Sequence, residues 1–323
     1  MIDFRYHLVS LIAVFLAVAL GIVIGTTALN GGLLDNLQTQ VAGLQEDKRA
    51  LEDETQGLQA QLDATGGFAE EVGPALVAGT LTGSSVVLVL GNEDVDTDLV
   101  DEVTSLVEAS GATVTGAVRL TPAYSDPQTA QSLQTFLTSP GGLPSGVTLP
   151  ETDDTGALVA DLLAQVLQIP AAAEGEEPVV PDSTATSQVL AGLSALDVLS
   201  VDSPDVAAAE HAVFLTSGAL TGDDAEARNT ALSQLAVALD ERGQGTVVSG
   251  DSAAAGETGL VGTIRADTEA STQVSTVDNV NAPEGRISTV LALSSEAQGT
   301  SGKYGTGEDA QPVPPVPTPA PAN

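Results

Sequence analysis

The chain has 323 residues, and 44 Asp and Glu against 9 Lys and Arg give it a formal charge of −35. A polyanion of this strength is repelled by nucleic acid, which is excluded as a partner. There is no Cys, one Met and two His, which excludes disulfide scaffolds, thiol catalysis, thiolate zinc sites and iron–sulfur clusters.

Residues 8–29 (LVSLIAVFLAVALGIVIGTTAL) carry no charge, and as a helix they would span roughly 33 Å, the depth of a bilayer core. They predict a transmembrane helix that crosses the lipid bilayer once. Phe4 and Tyr6 stand before it as interfacial aromatics, and Arg5 supplies positive charge to the same flank. Positive-inside logic then leaves residues 1–7 in the cytoplasm and the bulk of the chain extracytoplasmic. A cleaved signal peptide is the competing reading, but this apolar run exceeds the roughly 7–15 residues of a signal core. Within the helix Ala13, Ala17, Gly21 and Gly25 recur every four residues, a small-residue face that suits close approach of a second helix.

A break is expected at Asn30-Gly31-Gly32. Beyond it residues 33–65 fit a heptad register, with Leu34, Val41, Lys48, Thr55 and Leu62 at one core position and Leu37, Leu44, Leu51 and Leu58 at the other. The stretch predicts a parallel coiled-coil stalk and hence a homodimer, ended by Gly66-Gly67. The competing reading is an amphipathic helix packed on its own domain, which would show a wider apolar stripe.

From 68 to 300 short apolar runs alternate with amphipathic stretches, the pattern of an α/β domain with a mostly parallel sheet. Strands are expected at 85–90 (SVVLVL) and 112–120, joined by a helix at 98–110, with further helices near 127–138 and 157–167. The acidic, Pro-bearing stretch 171–182 (AAAEGEEPVVPD) reads as a solvated linker that divides the domain into two lobes. The second half is expected to hold helices at 184–195, 224–242 and 284–297 and strands at 198–201, 212–216 and 246–249. A last strand is placed near 273–277. The Pro-rich tail 306–323 (TGEDAQPVPPVPTPAPAN) is expected to be disordered or polyproline II.

No enzymatic site emerges. The run Gly91-Asn92-Glu93-Asp94 after the first strand carries carboxylates where a phosphate loop needs glycines, so no nucleotide cofactor is expected. Asp94, Asp96 and Asp98 imitate the opening of a calcium loop, yet Leu99 replaces the turn glycine and Ser105 the bidentate Glu, and helix capping accounts for them better. His211 with Asp251 and Ser252 lacks the GxSxG elbow of a hydrolase. Asn281 and Pro283 suit a helix start. Arg286 and Arg265, two of the scarce cations, are candidate partners for carboxylates at a lobe or dimer contact, with an ordinary surface pair as the alternative.

The opening HLVSLIAVFLAVALGIVIG with its heptads, GLVGTIRAD at 259–267, STVDNVNAPEGRISTVLAL at 275–293 and KYG at 303–305 together resemble the actinobacterial copper transport protein B family. The resemblance covers the anchor, the stalk and the last third. It implies a membrane protein of the cell envelope in copper efflux or copper homeostasis, with some relatives described as outer-membrane. It also implies an alternative role as an envelope scaffold that engages cell-wall hydrolases at division, with other envelope or membrane proteins as partners. Copper enters by that resemblance alone. Copper(I) takes thiolate, thioether or imidazole ligands, and His211 is the single weak candidate in the chain beyond the anchor. One helix forms no pore, so transport would need further subunits.

Overall fold

The structure, a computed structural model, describes residues 4–139, 143–144, 146–172 and 178–315, and the backbone alone for residues 26–35. The chain divides into two compact units, Met1–Thr65 and Gly66–Asn323. Helix α1 is assigned to Phe4–Val77, so neither the break expected at Asn30-Gly31-Gly32 nor the stop at Gly66-Gly67 is present. Each glycine costs a helix only about 1 kcal/mol relative to Ala, and propagation from strong formers on both sides outweighs it.

In the second unit, β1 (Ser85–Leu90), α2 (Thr97–Ala109) and β2 (Thr113–Leu120) form the expected βαβ unit. After it come α3 (Pro122–Ser125), a 3₁₀ turn at Pro127–Thr129, α4 (Ala130–Thr138) and α5 (Thr155–Leu167). The chain continues through α6 (Ser183–Ala195), β3 (Leu199–Val201), β4 (His211–Leu215), α7 (Ala225–Arg242) and β5 (Thr246–Ser249). It closes with α8 (Leu260–Ala266), α9 (Ala270–Gln273), β6 (Ser275–Val277), α10 (Pro283–Glu296) and β7 (Lys303–Tyr304). The strand near 273–277 is therefore not the last.

The strands form one sheet in the order β3-β2-β1-β4-β5-β6-β7, parallel except where β3 runs against β2. Strand β1, from before the acidic stretch, pairs directly with β4, from after it. The two expected lobes are thus one unit around one sheet, and residues 173–177 of the stretch lie outside the described residues. Val86 to Leu90 are all buried, because helices cover both faces of the sheet and an apolar run then serves a strand better than alternation. One core holds Phe214, Leu163 and Leu235 under α5, α6, α7 and α8. The other holds Leu88, Val213 and Val290 under the last turns of α1, α2 and α10.

Asp96 caps α2 by accepting from the Asp98 amide at 3.0 Å, as the capping reading expects. At α10 the N-cap is Ala282 with Pro283 as the first helical residue, so Asn281 does not cap it; its carbonyl instead accepts from Arg286 at 3.0 Å. The tail expected to be disordered from 306 is bonded as far as Gln311, whose amide donates to the Lys303 carbonyl at 2.8 Å and whose carbonyl accepts from Gly305 at 2.9 Å. Residues 316–323 lie outside the described residues.

Candidate functional site

The three motifs of the last third meet at the β6–β7 edge of the sheet. Arg265, in the last turn of α8, places Nη1 2.6 Å from Oδ2 of Asp278, the residue after β6. Its Nε donates to Thr276 Oγ1 at 2.9 Å and its Nη2 to the Tyr304 carbonyl at 2.8 Å. Asp278 also accepts from the Thr306 amide at 2.7 Å and the Gly307 amide at 3.0 Å. Burial pushes the Asp278 carboxyl up, but those amides and the guanidinium outweigh it and hold the carboxyl below its usual range. Gly305, at φ +126°, sits so close that a Cβ there would overlap the carboxylate. Every polar atom of the carboxylate is engaged, so the arrangement fastens the chain end and offers no site for a substrate. Arg265 stands out in the sequence for its scarcity; Asp278 and the Thr306 and Gly307 amides carry no such mark, although Asp278 lies within STVDNV and the two amides directly follow KYG.

Arg286 is nearly buried in α10. Its Nε lies 3.0 Å from Glu102 Oε2 on α2 and its Nη2 3.6 Å from Glu70 Oε1 on α1. Together they rim a groove of about 200 Å³ floored by Leu106, Pro283 and Ile287. Both candidate contact arginines thus have carboxylate partners within their own unit.

His211 begins β4 and is 3% exposed, with Nδ1 lacking a partner. Burial lowers its pKa, against the nearby Glu210 charge and a bond to the Gln244 backbone, so the imidazole is neutral at pH 7. Asp251 follows the opposite end of the neighbouring parallel strand, bound to Ser217 Oγ and the Gly218 amide at 3.0 Å each. The two do not meet, and no triad forms. Among the described residues no three His, Cys, Asp or Glu side chains come together as metal ligands.

The order of the sheet reverses between β1 and β4, where open α/β sheets form their ligand crevices. Asn92, Thr216, Arg228 and Asn229 line a chamber there of only about 30 Å³. That is room for about one water molecule, not for a nucleotide.

In the first unit Phe4–Gly25 is, among the described residues, the one helical stretch long and apolar enough to cross a membrane. Ala13, Ala17 and Gly21 are exposed along it and Gly25 is half-buried; a Cβ at Gly21 or Gly25 would touch nothing within 4 Å. Leu37, Val41, Leu44, Leu51, Leu58 and Leu62 are between 49% and 68% exposed. The side chain of Leu34 lies outside the described residues.

These features define an acidic α/β protein with a mixed, mostly parallel sheet and one N-terminal helix of membrane-spanning length. The family model described as copper transport outer membrane protein, MctB, matches residues 1–315, and the chain belongs to that family. The copper transporter MctB of Mycobacterium tuberculosis (strain ATCC 25618 / H37Rv) is 33% identical over 318 residues, covering 97% of this chain and 99% of the relative. Its namesake from Mycobacterium leprae (strain TN) is 32% identical over 317 residues, covering 96% and 98%.

Proposed function

We propose that this chain is a membrane-anchored, non-enzymatic envelope protein that serves copper efflux or copper homeostasis as a homodimer with partner subunits, without a high-affinity copper site of its own. The observation that carries the reading is family membership over nearly the whole length, joined to a ligand set that does not suit copper. The chain has no Cys, its one Met is the first residue, and its one histidine beyond the apolar helix is buried and, among the described residues, belongs to no cluster of metal-ligating side chains.

In this reading residues 1–7 lie in the cytoplasm, residues 8–29 span the bilayer and the α/β unit is extracytoplasmic. One helix provides no aqueous path, so movement of copper falls to other subunits. Residues 33–65 form a parallel coiled coil. The exposed leucines support this: each is worth about 1.5–3 kcal/mol when buried, and a second copy in register would bury the whole stripe. Ala13, Ala17, Gly21 and Gly25 continue the contact within the bilayer.

The test is complementation of a chromosomal deletion, read as cellular copper content under copper load. The intact chain is expected to restore normal copper content. A Leu44→Asp/Leu51→Asp double variant, which sets like charges against each other in the dimer seam, is expected to sediment as a monomer and to fail in complementation. Copper content indifferent to the deletion would remove the copper reading, and altered division shape in its place would favour an envelope scaffold. A double variant that still dimerises would remove the coiled coil.

A further inference from the structure

We propose that the carboxyl end of α10 is a proton-dependent latch, in which protonated Glu296 holds the α10–β7 connection closed and ionised Glu296 releases it together with the edge strand β7. Glu296 is 7% exposed, and its Oε1 is buried without a hydrogen-bond partner. Its Oε2 accepts from Ser301 Oγ at 3.2 Å, and the same hydroxyl approaches the Gln273 carbonyl at 3.0 Å. Ser275 of β6 approaches the carboxyl and also accepts from the Gly302 amide at 2.9 Å. The Gly302 carbonyl in turn accepts from the Thr276 amide at 2.9 Å, which starts the pairing of β7 with β6. One side chain thus fastens the turn that delivers β7, and Gln311 pairs outside it.

The charged form of that side chain is favoured by hydrogen bonds from Ser275 and Ser301 but by no counter-charge. Among the described residues no ion pair reaches Glu296. Lys303, the cation nearest in sequence, donates to the Arg265 carbonyl at 2.9 Å, and Arg265 is taken by Asp278. The titratable groups that face Glu296 are Asp240 from α7, whose charge repels it, and Tyr304 from β7. Gly245, before β5, presents only backbone, since a Cβ there would come within 2.6 Å of the Glu296 Cβ. Glu296 also sits in the last turn of α10, where the helix dipole disfavours a negative charge. Burial pushes its pKa up to about 7, with Ser275 pulling down and Asp240 adding to the rise. Asp240 is itself pushed up to about 6, chiefly by burial.

The sign follows from linkage. A carboxyl that holds its proton more tightly folded than unfolded stabilises the closed state fully below its unfolded pKa of about 4.5, and that stability is lost as pH rises from there through the folded value of about 7. If opening frees Glu296 fully, the opening equilibrium should grow about thirtyfold between about pH 5.5 and about pH 8.5.

Hydrogen exchange of the full chain in detergent micelles, corrected for intrinsic rates, reads this directly. The Thr300, Gly302 and Gly305 amides should lose protection about thirtyfold over that range relative to amides of α5, and Glu296→Gln should reduce the change to less than about threefold. Asp240→Asn, which removes the facing charge, should move the wild-type midpoint to lower pH and keeps the test decisive if the first variant folds poorly. Protection in the wild type that does not change with pH, an equal change in Glu296→Gln, or an unmoved midpoint in Asp240→Asn would overturn the latch.

Discussion

Replacing Asp278 by Ala is expected to lower the stability of the unit Gly66–Asn323 by about 3–5 kcal/mol, one of the largest single-residue losses available in this chain. The Arg265 side chain is 12% exposed and the Asp278 side chain 2%, so removal of the carboxylate leaves a guanidinium without its counter-charge in a largely dry site. The same change frees the Thr306 and Gly307 amides that fix the chain after β7. Urea unfolding followed by circular dichroism and by tyrosine fluorescence measures the loss, with the buried Tyr304 as the local reporter. A loss below about 1 kcal/mol would mean that the pair is no stronger than a surface ion pair. Because the Asp278 carboxyl is held below its usual range, its contribution is complete above the ordinary carboxylate pKa and fades as pH falls through the folded value. Glu296 acts in the opposite sense, its contribution complete below about pH 4.5 and lost as pH rises through about 7, so the two place the stability maximum at about pH 4–5.

Gly285→Ala is expected to cost about 2–3 kcal/mol, although in an exposed helix the same change would gain about 1 kcal/mol. Gly285 opens α10 directly against the Asn279 carbonyl, and a Cβ there would overlap that oxygen and its carbon. The obstacle is backbone and cannot turn aside as a flexible side chain would. Gly262 in α8 stands in the same relation to the Gly256 carbonyl, so both glycines of GLVGTIRAD and NAPEGR that lie inside helices mark close backbone approach. The sign is the check: thermal unfolding should shift downward in Gly285→Ala, whereas Gly57→Ala, at a site with open space around it in α1, should leave the midpoint unchanged or raise it. A stabilised Gly285→Ala would contradict this packing.

What was legible in the sequence tracks how much chain each feature occupies. SVVLVL and HAVFL announce buried strands because five or more adjacent residues share one environment, and α7 shows itself through 18 residues of helix formers. The elements that escaped notice are short: α3, α8, α9 and the two-residue β7 contain too few residues for a period to repeat. Strand β7 exists because β6 offers it a ladder and Asp278 binds the chain beyond it, a tertiary cause with no local pattern. The glycines at 31–32 and 66–67 misled for the converse reason, since a weak local preference for breaking yields to cooperative helix on both sides. Of the candidate site residues, Arg265 and Arg286 stood out as rare cations, but their partners Asp278, Glu102 and Glu70 are three carboxylates among 44 and carry no mark of their own.

The claim that the chain serves copper homeostasis without its own copper site is tested most directly by calorimetric titration of the full chain in detergent with copper(I) under reducing conditions, with analytical ultracentrifugation of the same sample. The account predicts a dimer that takes up no stoichiometric, tightly bound copper, and a His211→Ala variant that behaves identically. Tight binding at a fixed ratio that disappears in His211→Ala would contradict it and would place a copper site at the start of β4.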